Sequence, residues 1–167
     1  MIQTEIKEVA GMQLRKAKDT DLTTVYDIVQ ETIRCDYPNY YPTEVVNFFL
    51  EYHNEDSIRK DIGSGDVYLL FYGGTAAGTG TIKNQTIERI YILPKYQGKG
   101  FGTSIMNLLE NEITAGFDFS NVEASLVSYD FYLHRGYRPT EYRKYKVENN
   151  RVLCYYVMEK PLRPGKE

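Results

Sequence analysis

Tryptophan is absent from this chain, and cysteine and histidine are scarce, at 2 residues each among 167. Cys35 and Cys154 stand in different contexts, which argues against a disulfide scaffold and a cysteine-rich zinc site and suits a reducing, cytoplasmic compartment. His53 and His134 cannot build a poly-histidine metal centre, so no metal is expected. Neither sign of charge dominates: Lys+Arg is 20 and Asp+Glu is 23, a formal net charge of -3. That balance argues against a general polyanion binder, and nucleic acid is not the expected partner. No apolar run approaches the ~18 residues of a membrane span, and the opening MIQTEIKEVAGMQLRK has no apolar signal-peptide core. Internal repeats and low-complexity linkers are also missing. A chain of this length is expected to form one domain, residues 1–167, burying roughly 70% of its unfolded surface.

Tyrosine is plentiful, at 16 residues, and supplies hydroxyls at the edges of apolar surfaces. Gln13–Lys16 reads as a first strand. Asp19-Thr20-Asp21 marks a helix start, with Leu22, Val25, Tyr26, Ile28 and Val29 at helical spacing to about Ile33. CDYPNYYPTE, residues 35–44, carries two prolines and cannot be regular helix. Thr43 is placed to cap a second helix, and a short helical stretch around Ile58–Ile62 ends at Gly63. The period then changes. Val67–Tyr72 and Thr75–Lys83 read as a hairpin across Gly73-Gly74, and Thr86–Leu93 as another strand. A helix with an apolar stripe follows from Thr103 to about Thr114. Val122–Val127 is a strand and Tyr129–Arg135 a short helix. Tyr137–Val147 and Val152–Met158 form a closing hairpin, whose tyrosines offer a surface on which two copies could pair. The order predicts a mixed α/β domain.

The most informative stretch is IERIYILPKYQGKGFGTSIMNLLE, residues 87–110. A strand ends at Pro94, a glycine-rich turn follows, and an amphipathic helix begins. Glycines let backbone N–H groups converge, and these sit at the positive end of the helix dipole, so the turn can cradle a phosphate or pyrophosphate. Tight strand–helix packing accounts for the same glycines equally well. The spacing is G-x-G-x-G, which is neither the G-x-G-x-x-G of dinucleotide sites nor a P-loop.

Gln97-x-x-Gly100-x-Gly102, with I-Y-I-L-P-K-Y before it, resembles the acetyl-CoA motif of the GNAT superfamily of N-acetyltransferases. Phe131-Tyr132-Leu133-His134-Arg135-Gly136-Tyr137 is similar to the family's F-Y-x-x-x-G-[FY] signature. The resemblance implies a GNAT-like mixed central sheet with flanking helices, splayed at the cofactor site. It implies acetyl transfer from acetyl-CoA to an amine by direct attack. The backbone amides of Gln97, Gly98, Lys99, Gly100, Phe101, Gly102 and Thr103 would then hold the pyrophosphate, with Lys99 adding charge. Ile92 would touch the pantetheine arm, and the Ile90 N–H would donate to the thioester carbonyl. The family often has Asn where this chain has Ser125, a shorter pantetheine contact, and Ser128 replaces a common Ala.

Within that resemblance Glu88 is the expected base, acting directly or through water, and by period-2 alternation it should share a face with Ile90 and Ile92. Pairing with Arg89 or another cation explains it as well. Tyr132 matches the tyrosine that protonates the CoA thiolate. His53 and His134 are expected at the surface, and the cysteines as buried small hydrophobes. Asp36, Tyr37, Tyr40 and Tyr41, on the loop between the first two helices, are expected to wall the acceptor pocket, since aromatic faces and a carboxylate suit a cation. The acceptor is a small-molecule or peptide amine. A non-catalytic acyl-CoA-binding or regulatory domain on the same fold stays open as the alternative.

Overall fold

The computed structural model describes residues 7–9 and 11–163. Among these residues five α-helices cover the two faces of one eight-stranded sheet. In chain order the elements are β1 (Lys7–Val9), β2 (Met12–Lys16), α1 (Leu22–Asp36), α2 (Thr43–Tyr52), α3 (Glu55–Gly63), β3 (Val67–Tyr72), β4 (Thr75–Lys83), β5 (Thr86–Ile92), α4 (Phe101–Ile113), β6 (Phe119–Ser125), α5 (Tyr129–His134), β7 (Arg138–Lys146) and β8 (Val152–Pro161). The sheet order is β1-β2-β3-β4-β5-β6-β8-β7. All neighbours are antiparallel except β5 and β6, which run parallel and are in register at Thr86–Asn121 and Ile87–Val122. Beyond those pairs the strands part, so the sheet is splayed as expected.

Period-2 alternation sorts the strand side chains between two cores. On one face Leu14, Leu70, Ile87, Ile92, Val122 and Met158 pack with Ile105, Met106 and Leu109 of α4. Fully burying each of those helix side chains stabilises the fold by roughly 1.5–3 kcal/mol. On the other face Val67, Leu69, Tyr91 and Leu153 pack with Val25, Val29 and Ile33 of α1, Val45 of α2 and Ile58 of α3. Asn54 caps α3 by accepting from the Ser57 amide at 2.9 Å, a contact worth about 1 kcal/mol.

Several expectations need correction. Helix α1 runs on to Asp36, and Tyr37–Asn39 adds a 3-10 turn, so the two-proline segment keeps more helix than its composition suggested. Pro42, not Thr43, holds the cap position of α2, and no side chain caps that helix. Strand β1 was not foreseen. Helix α4 starts at Phe101, within the glycine turn. Strand β6 lies earlier than expected, at Phe119–Ser125. Cys35 is exposed and Cys154 half-buried, so neither is a core residue.

The alternation in β5 also breaks. Glu88 faces Thr81 and Tyr91 faces Thr79, which leaves Arg89 and Ile90 together opposite Gly80. This is a β-bulge, and Arg89 takes φ 48°, a left-handed conformation costing about 1–3 kcal/mol. As a result Glu88 and Tyr91 point to the α1–α3 side, while Ile90 and Ile92 pack on the α4 side. Glu88 therefore does not share a face with the two isoleucines.

Candidate active site

Where β5 and β6 part, a cleft of ≈ 750 Å³ opens. One wall is the glycine turn. Gly98 and Gly100 have φ of 69° and 83°, a region that penalises side chains. Gly100 occupies the cap position of α4, and an added Cβ there would meet nothing within 4 Å. The first intrahelical donor is Ser104, whose amide reaches the Gly100 carbonyl at 3.0 Å. The amides of Phe101, Gly102 and Thr103 come before any carbonyl of their own helix and need an outside acceptor. Gly98, Gly100, Gly102 and Thr103 all line the cleft, so an anion fits this wall.

Gln97 braces the turn. Its side-chain amide donates to Asp36 at 2.7 Å and to the Ile92 carbonyl at 2.9 Å. The Phe101 side chain is buried against Tyr72 and Tyr96, and the Lys99 ammonium donates to the Lys95 carbonyl at 2.9 Å. Of these two residues the main chain is what remains for the cleft, and the charge expected from Lys99 is turned elsewhere.

The floor is β5. Ile90 and Ile92 line the cleft, and β4 makes room for them with glycine: a Cβ on Gly78 would stand 2.4 Å from Ile92 Cδ1, and one on Gly80 2.8 Å from Ile90 Cδ1. The bulge lets Glu88 and Arg89 reach the same cleft from the other face. The Glu88 carboxylate, about one-third exposed, lies 3.3 Å from Lys83 Nζ; Lys83, not Arg89, is its cation. Across the gap Ser125 lines the cleft, its hydroxyl 3.3 Å from that of Ser128.

Tyr132 of α5 closes the site. It is buried among Phe131 and Tyr137 yet lines the cleft. Its hydroxyl has no hydrogen-bond partner among the described residues. Burial pushes its phenol up, with the nearby Tyr137 and Tyr37 adding to the effect, so the proton stays on oxygen at neutral pH. Behind it, Glu110 accepts from Arg135 Nε at 2.8 Å, Lys160 at 2.9 Å and the Tyr137 hydroxyl at 3.0 Å, fixing α5 against α4 and β8.

The acceptor-side expectations divide. Asp36 and Tyr37 line the cleft, and the Tyr37 hydroxyl lies 3.2 Å from that of Tyr91. Tyr40 and Tyr41 do not. Tyr40 is exposed, and the buried Tyr41 clamps two chain segments, donating to the Cys154 carbonyl at 3.0 Å and accepting from the Leu126 amide at 2.7 Å. The walls the sequence reading missed are Phe48, Phe49 and Tyr52 of α2 and Tyr145 of β7. Only the i, i+4 spacing of Phe48 and Tyr52 hinted at them.

His53 also departs from its expectation. It stands at the end of α2 but not at the surface: it is 8% exposed, stacked on Phe49, edge-on to Tyr91, and part of the cleft wall. Arg89 Nε donates to His53 Nδ1 at 2.9 Å, and the same guanidinium pairs with Asp61 of α3. Burial, and then the Arg89 charge, lower the His53 pKa to about 3. His134 is exposed, as expected, its Nδ1 2.6 Å from the Asp130 carbonyl.

Among the described residues no group of three or more His, Cys, Asp and Glu side chains is placed to hold a metal, and no helix is long and apolar enough to cross a membrane. Residues 36–159 match the family profile described as an acetyltransferase (GNAT) domain. Solved structures repeat the fold. A GCN5-related N-acetyltransferase from Rhodopseudomonas palustris superposes with TM-score 0.82 at 22% identity, over 93% of this chain and 98% of that one. PaiA N-acetyltransferase from Thermoplasma acidophilum, solved with coenzyme A, gives 0.69 at 19% identity, over 90% and 98%. YncA from Salmonella typhimurium, solved with its cofactor acetyl-CoA, gives 0.64 at 19% identity, over 95% and 98%. No curated protein sequence matches the chain significantly.

Proposed function

The chain belongs to the GNAT acetyltransferase family, and on that premise we propose that it transfers an acetyl group from acetyl-CoA to a primary amine by direct attack. The supporting observation is the convergence of a glycine-lined anion cradle, a carboxylate and a buried phenol on one cleft. Acetyl-CoA would supply the activated acetyl group as a thioester. The amides from Gly98 to Thr103 would hold its pyrophosphate at the α4 N-terminus. Ile92 and Ser125, on the two sides of the seam, would flank its arm, and the Ile90 amide would donate to the carbonyl oxygen where charge grows.

An amine is mostly protonated at pH 7 and must lose a proton to become a nucleophile. Glu88 is the group proposed to accept that proton, directly or through water. Tyr132, which keeps its proton at neutral pH, is proposed to donate to the departing sulfur. Asp36 and Tyr37 would border the acceptor.

The experiment is acetyl-CoA incubated with a panel of amines and monitored by thiol release. Release that depends on the amine supports transfer. CoA binding without turnover on any amine would instead indicate an acyl-CoA-binding domain.

A further inference from the structure

Arg89 is an unusual residue to find in a left-handed backbone conformation. Its guanidinium is buried, and its contacts are with Asp61 and His53. The bulge in β5 places it there, and the consequence falls on His53. A guanidinium can only donate. Its Nε–H, 2.9 Å from His53 Nδ1, therefore requires a lone pair on Nδ1. In a neutral ring the proton is then on Nε2. The main chain holds the ring in place as well, since Gln30 Nε2 donates to the His53 carbonyl at 3.1 Å.

Nε2 has no partner among the described residues, and it is not among the buried polar atoms sealed from solvent. His53 lines the cleft, so Nε2–H is a fixed donor at its acceptor end. It cannot serve as the base: one nitrogen is occupied and the other carries the proton. The lowered pKa agrees with this geometry.

The charge around His53 is balanced. Lys83 Nζ lies 3.0 Å from Asp61 and 3.3 Å from Glu88, and Arg89 pairs with Asp61, giving two cations and two carboxylates. A free carboxylate entering here would lose its water and gain no unpaired cation. A plain alkylamine would offer Nε2–H no direct acceptor and leave it to water. An uncharged carbonyl satisfies the donor at no charge cost. Beside it, Phe48 lies 5.9 Å from Tyr52 and 5.0 Å from Tyr145 between ring centres, an aromatic wall for an apolar side group.

We infer that the acceptor end selects an amine that also carries an uncharged carbonyl and an apolar substituent, an amino-acid amide or a peptide amino terminus, with His53 Nε2–H as the donor to that carbonyl. This rests on the acyl-transfer reading of the cleft.

The test compares kcat/KM for phenylalaninamide, phenylalanine and phenethylamine in the wild type, His53→Phe and His53→Gln. One well-placed hydrogen bond gives the amide a ~10-fold preference over phenethylamine in the wild type. His53→Phe keeps the stacking and loses that preference. His53→Gln restores it, because its oxygen can accept from Arg89 while its amide donates to the cleft. The second readout needs no turnover: nitrogen NMR of the His53 ring, which should show the Nε2-protonated neutral form at pH 7, with an Nε2 shift on adding phenylalaninamide to the CoA-bound protein. A ring protonated at Nδ1, an unchanged preference in His53→Phe, or a wild type favouring phenylalanine or phenethylamine overturns the inference. If no amine is acetylated yet phenylalaninamide shifts Nε2, acyl transfer fails and the ligand class stands. Acetylation with no amide preference does the reverse.

Discussion

The side chain of Gln97 reaches Asp36, 61 positions earlier in the chain, at 2.7 Å, while also holding the Ile92 carbonyl. The end of α1, the end of β5 and the start of the glycine turn are thereby tied at one amide. Gln97→Glu would set a carboxylate against Asp36 and a carbonyl oxygen, and repulsion would open the brace. CoA affinity measured by calorimetry should fall by ~10-fold, about one charge-assisted hydrogen bond, with the fold retained. An unchanged Kd would show that the turn holds its shape without the brace.

At Gly100 the backbone itself sets the expectation. A β-branched residue at φ 83° is strained by about 1–3 kcal/mol, and its side chain would project into open space at the cradle. Gly100→Val should lower Tm by several degrees and abolish most of the thermal stabilisation that excess CoA gives the wild type. If the folded variant keeps that stabilisation, the cradle lies elsewhere.

Glu88→Gln addresses the proposed base. Acetyl transfer should slow by ~10²-fold or more at neutral pH and by less at high pH, where the amine is already deprotonated. The pH–rate profiles of both proteins decide it. A loss of the same size at every pH would assign Glu88 to positioning, through its ion pair with Lys83.

Tyr132→Phe keeps the ring packed against Phe131 and Tyr137 and removes only the hydroxyl. If that hydroxyl donates as the thiolate forms, kcat drops by ~10²-fold while the Kd for acetyl-CoA barely moves. Wild-type kcat, with chemistry shown to limit turnover, would rule out the acid role.

His53 also shapes the pH dependence of stability. Its pKa of about 3 in the folded chain lies below the ordinary 6.5, so below pH 6.5 the unfolded chain binds a proton that the folded one does not. Stability is full above that pH and declines toward pH 3, by up to about 1.4 kcal/mol per pH unit from this group. Urea denaturation at pH 7 and pH 5 should show the decline in the wild type. The difference between the two pH values should shrink in His53→Phe.

Much of this architecture is legible in the residues, and the exceptions share a cause. The limits of β3 and β4 follow from their β-rich runs and the Gly73-Gly74 turn, and the turn before α4 follows from the glycines after Gln97. Local chemistry decides those features. The bulge at Arg89 has no local signature. There Asp61 of α3 and His53 at the end of α2 receive the buried guanidinium, contacts that help offset a strained backbone and that alternation cannot foresee. The same holds for Tyr41, which looks like its neighbour Tyr40 in sequence yet finds two main-chain partners far along the chain. Residues in a proline-braced loop share a composition; which of them turns inward is settled by what lies on the other side.

The parting of β5 from β6 has a mechanical side. Registered backbone pairing across that line is confined to Thr86–Asn121 and Ile87–Val122, whereas the flanking junctions, β4–β5 and β6–β8, pair along most of their length. Local opening costs least where the fewest bonds must break. Main-chain bonding in the sheet is therefore sparsest along the cleft, with β1–β5 on one side and β6–β8 on the other, and the packing of α4 against strands of both sides carries the join. An occupant bonded to both sides would add the main-chain links that the seam lacks, and its binding free energy would add to the stability of the folded sheet.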